Sequence, residues 1–209
     1  FKNIIIDKNG YDYEINREWI SYHIQRNTWI SKKFINTFGK PRKPNSKILQ
    51  IHKHLAAALQ LRLEQIVLKK LKYLKKKYKI NNLAIAGGVG LNCSLNGKIE
   101  KSKIFKKIFV QPASGDSGTA IGAVYSSFEK KYKNKLKIKK RYNSYLGTKY
   151  NSKEIEKFLK RIKIKYSSPK KIYDEVANHI AEGKIVACFQ NGAEFGPRAL
   201  GNRSILCKP

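Results

Sequence analysis

Apolar residues recur at intervals of three and four positions along a segment that runs from Ser46 to about Lys79. The recurring positions are Leu55, Leu59, Leu63, Ile66, Val67, Leu71 and Leu74. Because this spacing gathers the apolar side chains on one face, it predicts a long amphipathic helix. Residues 1–45 show no comparable period and carry scattered aromatic residues, so the pattern assigns no element to them.

Downstream of that helix, short apolar runs alternate with loops and helical patterns. We predict a buried strand at 83–86, a helix at 93–101, a strand at 107–111 and a helix at 119–132. This alternation is typical of an α/β unit. The pattern then predicts a helix at 151–162, with Asn151 and Glu154 as a capping box at its start, a helix at 169–182 and a strand at 184–190. The basic, polar stretch from Lys130 to Asn143 separates the two sets, and we take it as the boundary between domains of residues 1–140 and 141–209.

Composition narrows the class of protein. The 209 residues are 41% hydrophobic, which suffices for a packed core, and no apolar run approaches the roughly 20 residues of a membrane span. Three cysteines, an odd number, indicate a reducing compartment without a disulfide framework, so we expect a cytoplasmic protein with no membrane contact. The chain begins with Phe1 and contains no Met, so we expect a fragment.

The net charge of +31 leaves two interpretations open. Basic chains bind polyphosphates through counterion release, which would make nucleic acid a partner. Alternatively, the charge reflects amino-acid usage, since only eight of the 45 basic residues are Arg and few aromatics accompany the lysine runs. We favour the second interpretation and expect nonspecific attraction to polyanions without specific nucleic-acid binding.

A glycine-rich run, Gly87-Gly88-Val89-Gly90-Leu91-Asn92, follows the predicted strand at 83–86 and is called the Gly motif. Glycines at such a turn let backbone N–H groups approach a ligand, and the start of a following helix favours a phosphate or ribose oxygen. The run has neither the P-loop pattern nor the dinucleotide fingerprint. It indicates either a nucleotide site or a plain tight turn.

The Asp motif, Ser114-Gly115-Asp116-Ser117-Gly118, follows the predicted strand at 107–111. Two roles are open for Asp116, as an N-cap of the next helix or as a carboxylate that projects into a cleft and binds a metal. The chain has no HxxxH pair to complete a metal site. His52 and His54 flank Lys53 on a predicted helix and therefore point to different faces.

The third run, Glu194 to Leu206 with the sequence EFGPRALGNRSIL, is called the Arg motif. It places Arg198 and Arg203 five positions apart in a predicted loop shaped by glycines and a proline. The planar fork of an arginine matches the geometry of carboxylates and phosphates, so the pair is suited to an anion. The alternative is a surface loop whose arginines pair with Glu194 and a helix end.

In their order and content, these motifs closely resemble the O-carbamoyltransferase family, which includes the nodulation-factor and antibiotic-tailoring carbamoyltransferases. The resemblance rests on LAIAGGVGLNCSLNGK at 83–98, GDSGTAIGA at 115–123 and EFGPRALGNRSIL at 194–206, and it covers residues 46–209. The first two motifs are also similar to those of the tRNA threonylcarbamoyladenosine transferase, whose fold is of the actin/Hsp70-like ATPase class. The resemblance implies an α/β chain in which the C-terminal part of an actin-like lobe precedes the start of a YrdC-like domain.

The resemblance implies a reaction as well. Carbamoyl phosphate and ATP form carbamoyl-adenylate, and the carbamoyl group then passes to a hydroxyl of a small molecule or sugar, aided by an iron-type divalent metal. The partners implied are therefore carbamoyl phosphate, ATP and a hydroxyl-bearing acceptor, and a homodimer is left open. An adenylate leaving group makes the transfer downhill, and a metal polarises a carbonyl or hydroxyl.

By matching position, the resemblance assigns roles within each motif. It implies adenosine contacts from the Gly motif at Gly87, Gly88 and Asn92. It implies that Asp116 is a metal ligand. It implies that the Arg motif holds carbamoyl phosphate through Arg198, Arg203 and Ser204, with the two arginines acting in catalysis.

Two departures from the family pattern bear on activity. The family's metal-binding histidine pair lies in an N-terminal part that this chain lacks, which implies a partial metal site and an inactive chain when it stands alone. The family's Gln-Gly-Arg before Glu194 is replaced here by Gln190-Asn191-Gly192-Ala193, with one basic residue fewer. Two other functions stay open: a tRNA threonylcarbamoyladenosine-type modification enzyme, which the Arg motif disfavours, and an inactive nucleotide-binding module.

Overall fold

The computed structural model describes residues 1–132 and 143–209, and within them the protein is a mixed α/β structure, as predicted. Its helices are α1 (Lys32–Phe38), α2 (Gln50–Tyr78), α3 (Cys93–Lys101), α4 (Thr119–Tyr132), α5 (Ser152–Arg161) and α6 (Ile172–Ala181). Its strands are β1 (Ile5–Lys8), β2 (Asp12–Ile15), β3 (Asn82–Ile85), β4 (Lys107–Val110), β5 (Val186–Phe189) and β6 (Arg203–Leu206). They pair in order as three two-stranded sheets.

The chain divides into two compact units. Unit 1 consists of Phe1–Leu83 and Cys93–Phe109, and unit 2 consists of Ala84–Asn92 and Val110–Pro209. The domain boundary predicted at residue 140 lies outside the described residues. All three sequence motifs belong to unit 2.

Unit 1 begins with a β-hairpin fixed to the long helix α2. β1 and β2 pair antiparallel, and between them Asn9 and Gly10 have positive φ angles of 51° and 72°. Arg62 of α2 donates from Nε and Nη2 to the carbonyl oxygen of Ile5, at 2.8 and 2.7 Å. Hydrophobic periodicity did not predict this hairpin, although Asn-Gly is a strong turn signal.

The core of unit 1 forms where α2 meets α3. Its buried apolar residues are Ile4, Ile66, Leu71, Leu95, Ile99 and Phe105. Glu64 of α2 is buried as well and accepts hydrogen bonds from Lys98 of α3 and from Gln60, which lower the pKa of Glu64. Because a buried carboxylate is costly unless it is paired, these donors permit its position between the helices.

Several predicted elements are confirmed. α3 and α4 have the predicted bounds, and β4 falls within the predicted strand at 107–111. The predicted amphipathic helix is α2, which begins at Gln50 rather than at Ser46. β3 is present, but its residues alternate between exposed and half-buried, so the prediction of a buried strand was wrong.

In unit 2 the start of α5 was predicted, whereas the strand β6 was not. At the start of α5, Asn151 Oδ1 accepts from the Glu154 N–H at 3.0 Å, and Glu154 Oε2 accepts from the Asn151 N–H at 2.7 Å, which is the predicted capping box. The end of the Arg motif was predicted to be a loop but forms β6, antiparallel to β5 with Arg203 opposite Phe189. Local pattern missed β6 because it is defined by pairing with a strand more than ten residues away.

Candidate active site

The buried residues of unit 2, within its described part, lie in or beside the three motifs. They are Gly90, Ala113, Ser114, Gly192, Asn202 and Ser204. All are small or polar, in contrast to the apolar core of unit 1. The most enclosed part of unit 2 is therefore built by close approach of backbone segments from the motifs rather than by large apolar side chains.

The Gly motif packs directly on the Asp motif. The Gly87 N–H donates to the Ser114 carbonyl oxygen at 2.7 Å. A Cβ atom added at Gly90 would lie 2.9 Å from Ser114 Oγ, so this approach requires glycine. The Ser114 hydroxyl is buried in this contact and has no hydrogen-bond partner among the described residues. The two motifs thus form one joined surface.

The residues predicted to contact adenosine lie on the open side of this surface. Gly87 and Gly88 are exposed, and apart from the adjoining residues no described atom lies within 4 Å of a Cβ built at either position. Asn92 is half-buried and ends the 3₁₀ turn Gly88–Leu91, its N–H donating to the Val89 carbonyl at 3.0 Å. The first N–H groups of this turn are those of Gly88 and Val89, which have no hydrogen-bond partner among the described residues. They are therefore available to a ligand.

The Arg motif is seated against the segment that leads into the Asp motif. Gly196 has a φ of 137°, and a Cβ atom there would lie 2.8 Å from the Pro112 carbonyl oxygen and 3.3 Å from the Ala113 nitrogen. Both the positive φ and the close contact exclude a side chain. The structure therefore brings the three motifs, far apart along the chain, into a continuous set of contacts within unit 2.

Glu194 closes the Arg motif on itself. Its Oε1 accepts from the backbone N–H groups of Leu200, Asn202 and Arg203 at 2.7, 2.8 and 3.2 Å. These hydrogen bonds, the one from Leu200 above all, lower the pKa of Glu194 to about 2 against the opposing effect of desolvation. Within the described residues Glu194 forms no ion pair with Arg198 or Arg203, so the Arg–Glu194 pairing considered as the alternative does not occur.

Arg203 is held by the protein itself. Its Nη1 donates to the carbonyl oxygens of Gln190 and Asn202, and its Nη2 donates to those of Thr148 and Asn191, at 2.8 to 3.2 Å. Its guanidinium carbon also lies 3.6 Å from the centre of the Phe189 ring. The cation–π contact and four carbonyl acceptors occupy this side chain.

Ser204 is likewise engaged within the motif. It is buried, and its Oγ accepts from the Gly201 N–H at 3.0 Å. The structure therefore places two of the three residues predicted to hold carbamoyl phosphate, Arg203 and Ser204, in the framework of the Arg motif. For Arg203, sequence patterns contain no signal for this, because three of its four acceptors lie 12 to 55 residues away along the chain.

Arg198 has the opposite environment. Its side chain is exposed and forms no hydrogen bond or ion pair with any residue that the structure describes. It lies two residues from Gly196, whose backbone is seated at Pro112, and two from Leu200, which is bonded to Glu194. An exposed guanidinium group is permanently charged, and here its backbone is held in place on both sides. Such a group is suited to binding a small anion.

Asp116 also presents a free side chain. It is exposed, and within the described part of the chain its carboxylate has no hydrogen-bond or ionic partner. It begins the 3₁₀ turn Asp116–Gly118, whose N-cap is Gly115, so the N-cap role considered for Asp116 is not seen. Its backbone carbonyl accepts from Thr119 Oγ1 at 2.6 Å, which fixes the turn to the start of α4.

The described residues do not by themselves form a metal centre. In residues 1–132 and 143–209, no three His, Cys, Asp or Glu side chains converge in a way that could hold an ion. His52 is used elsewhere, since its Nδ1 accepts from the Leu49 N–H at 3.0 Å at the start of α2. Over the same residues, no helix has the length and apolar character needed to cross a membrane.

Comparison with known proteins agrees with the motifs. Residues 2–125 match the family described as carbamoyltransferase N-terminus, and residues 177–209 match the carbamoyltransferase C-terminus. Nodulation protein NolO of Bradyrhizobium diazoefficiens is 34% identical over 98% of this chain, which corresponds to 35% of that protein. Nodulation protein NolNO of Sinorhizobium fredii is 37% identical over 98% of this chain and 28% of its own length.

A relative named for its reaction is also similar. The 3'-hydroxymethylcephem-O-carbamoyltransferase of Amycolatopsis lactamdurans is 30% identical over 61% of this chain and 23% of its own length. The chain thus spans about a third or less of the length of these relatives. Because the N-terminal family match alone covers more than half of the chain, and the three motifs converge in the structure, the chain belongs to the carbamoyltransferase family.

Proposed function

We propose that the whole protein is an ATP-dependent O-carbamoyltransferase that moves the carbamoyl group of carbamoyl phosphate, through carbamoyl-adenylate, to a hydroxyl of a small molecule or sugar. Membership of the carbamoyltransferase family supports the group that is transferred. The cephem relative supports an oxygen acceptor. The main structural support for an anion site is the guanidinium of Arg198, which is exposed and has no partner among the described residues. Its backbone is fixed on both sides.

In this proposal each motif has a separate task. Arg198 binds the phosphate dianion of carbamoyl phosphate in a bidentate manner, while Arg203 and Ser204 keep the Arg motif in shape. The exposed backbone at Gly87 and Gly88, with Asn92, contacts the adenosine of ATP and of the adenylate. The joined packing of the motifs supports placing both substrates on one surface.

The residues present do not fit the iron-type divalent metal that the resemblance implies. Asp116 offers one exposed carboxylate, and the part of the chain that the structure describes supplies no further ligands around it. We therefore derive no step of the reaction through a metal. A role for Asp116 as one ligand of a site completed by other residues stays a prediction.

The finer description of the fold is also part of the proposal. We propose that residues 1–140 belong to an actin/Hsp70-like lobe and residues 141–209 to the beginning of a YrdC-like domain. The order of the two family matches along the chain supports this assignment, since the N-terminal match ends at residue 125 and the C-terminal match begins at residue 177. A cytoplasmic location stays a prediction.

The proposed reaction is tested by pyrophosphate release. The whole protein that carries this chain is expected to hydrolyse carbamoyl phosphate to carbamate and phosphate, after which a carbamate oxygen attacks the α-phosphate of ATP and displaces pyrophosphate. Pyrophosphate release is therefore expected only when carbamoyl phosphate is also present. Mass spectrometry of a mixture that also contains a hydroxyl acceptor is expected to show a product heavier by one carbamoyl group. A protein that binds ATP and carbamoyl phosphate but releases no pyrophosphate would contradict the proposal.

A further inference from the structure

We infer that Glu194 is the positioning residue for Arg198, an inference that rests on the proposed binding of carbamoyl phosphate at the Arg motif. Glu194 and Arg203 are the two ends of a ten-residue loop, and a single carboxylate oxygen of Glu194 receives three backbone N–H groups from the far end. Backbone N–H groups that converge in this way form an anion-binding nest, which here is filled by the protein's own side chain.

The loop is held at further points on both sides of Arg198. On one side the Gly196 backbone lies against Pro112. On the other, the N–H of Leu200 donates to Glu194, and its carbonyl oxygen accepts from the Tyr145 hydroxyl at 3.2 Å. Since the backbone is ordered before any ligand arrives, binding at Arg198 does not have to bear the entropy cost of ordering the loop.

The charge of Glu194 matters to this role. An ionised acceptor makes shorter and stronger hydrogen bonds than a neutral one, and three donors share one oxygen here. With its pKa near 2, the side chain is ionised throughout the physiological range. Glu194 does not compete with the ligand for Arg198 through an ion pair, because the two side chains are not in contact among the described interactions.

The inference is tested by calorimetric titration of the whole protein that carries this chain with carbamoyl phosphate. Glu194→Ala is expected to weaken binding about tenfold, which is the order of the cost of immobilising one mobile side chain and its loop on binding. Glu194→Gln keeps an acceptor oxygen and is expected to recover part of the affinity. Glu182→Ala, which removes an exposed carboxylate at the end of α6, serves as the control and is expected to bind as the wild type does.

A double variant separates positioning from general loosening of the structure. If Glu194 acts through Arg198, the variant that combines Arg198→Ala with Glu194→Ala binds no more weakly than Arg198→Ala alone. Additive losses, or full affinity in Glu194→Ala, would overturn the inference while leaving the proposed function intact. Absence of carbamoyl phosphate binding to the folded wild type would instead overturn the proposed function. If Glu194→Ala does not fold, Glu194→Gln carries the same comparison.

Discussion

Arg198→Ala is expected to weaken carbamoyl phosphate binding by about 10- to 100-fold, because a hydrogen bond to a charged group contributes roughly 1.5–3 kcal/mol and this side chain supplies the proposed anion contacts. The thermal unfolding temperature is expected to stay unchanged, since Arg198 is exposed and has no partner among the described residues. Calorimetric titration and a thermal melt on the same samples measure both quantities.

Two further variants make this result specific. Arg26→Ala removes the same charge from another exposed arginine and is expected to bind carbamoyl phosphate normally. Arg198→Lys keeps the charge but loses the planar fork, so its affinity is expected to fall between those of the wild type and Arg198→Ala. Equal weakening by Arg26→Ala and Arg198→Ala would show that the anion responds to overall charge rather than to a site.

Arg203→Ala is expected to lower the free energy of unfolding by about 2–3 kcal/mol, because it removes the donors to four backbone carbonyls and a cation–π contact. The carbonyls belong to Thr148, Gln190, Asn191 and Asn202, so the substitution removes side-chain hydrogen bonds to more than one backbone segment at once. Urea denaturation followed by circular dichroism measures the change.

A lysine variant tests whether Arg203, unlike Arg198, has a structural role. Arg203→Lys is expected to recover only part of the lost stability, since one ammonium group cannot reach all four acceptors in the geometry of the guanidinium. A folded Arg203→Ala variant with wild-type stability, but without affinity for carbamoyl phosphate, would contradict the division of roles between the two arginines. It would restore Arg203 as a direct anion ligand.

Elements governed by neighbouring residues could be predicted from the sequence. The helix α4 and the capping box at the start of α5 depend on side chains a few positions apart, and both form as predicted. The hairpin of β1 and β2 carried a local signal at Asn9-Gly10 that hydrophobic periodicity overlooks. β6 could not be predicted in this way, because its strand character depends on β5, from which the Arg motif separates it.

The candidate site, like the fold, could be predicted from the sequence only in part. The motifs themselves, and their suitability for nucleotide and anion, follow from residue types that can be seen in the sequence. The different surroundings of Arg198 and Arg203 do not, because the acceptors that occupy Arg203 include the carbonyl of Thr148, 55 residues away. Nor does sequence show that Glu194 binds backbone N–H groups rather than an arginine, since that depends on how the chain turns at Gly201.

The most direct test is residue-specific modification with phenylglyoxal, which reacts with accessible guanidinium groups, followed by peptide mass spectrometry. Arg198 is expected to react much faster than Arg203, and saturating carbamoyl phosphate is expected to protect Arg198 specifically. If Arg198 reacted equally fast with and without carbamoyl phosphate, while Arg203 became the protected residue, the proposed anion site at Arg198 would be refuted.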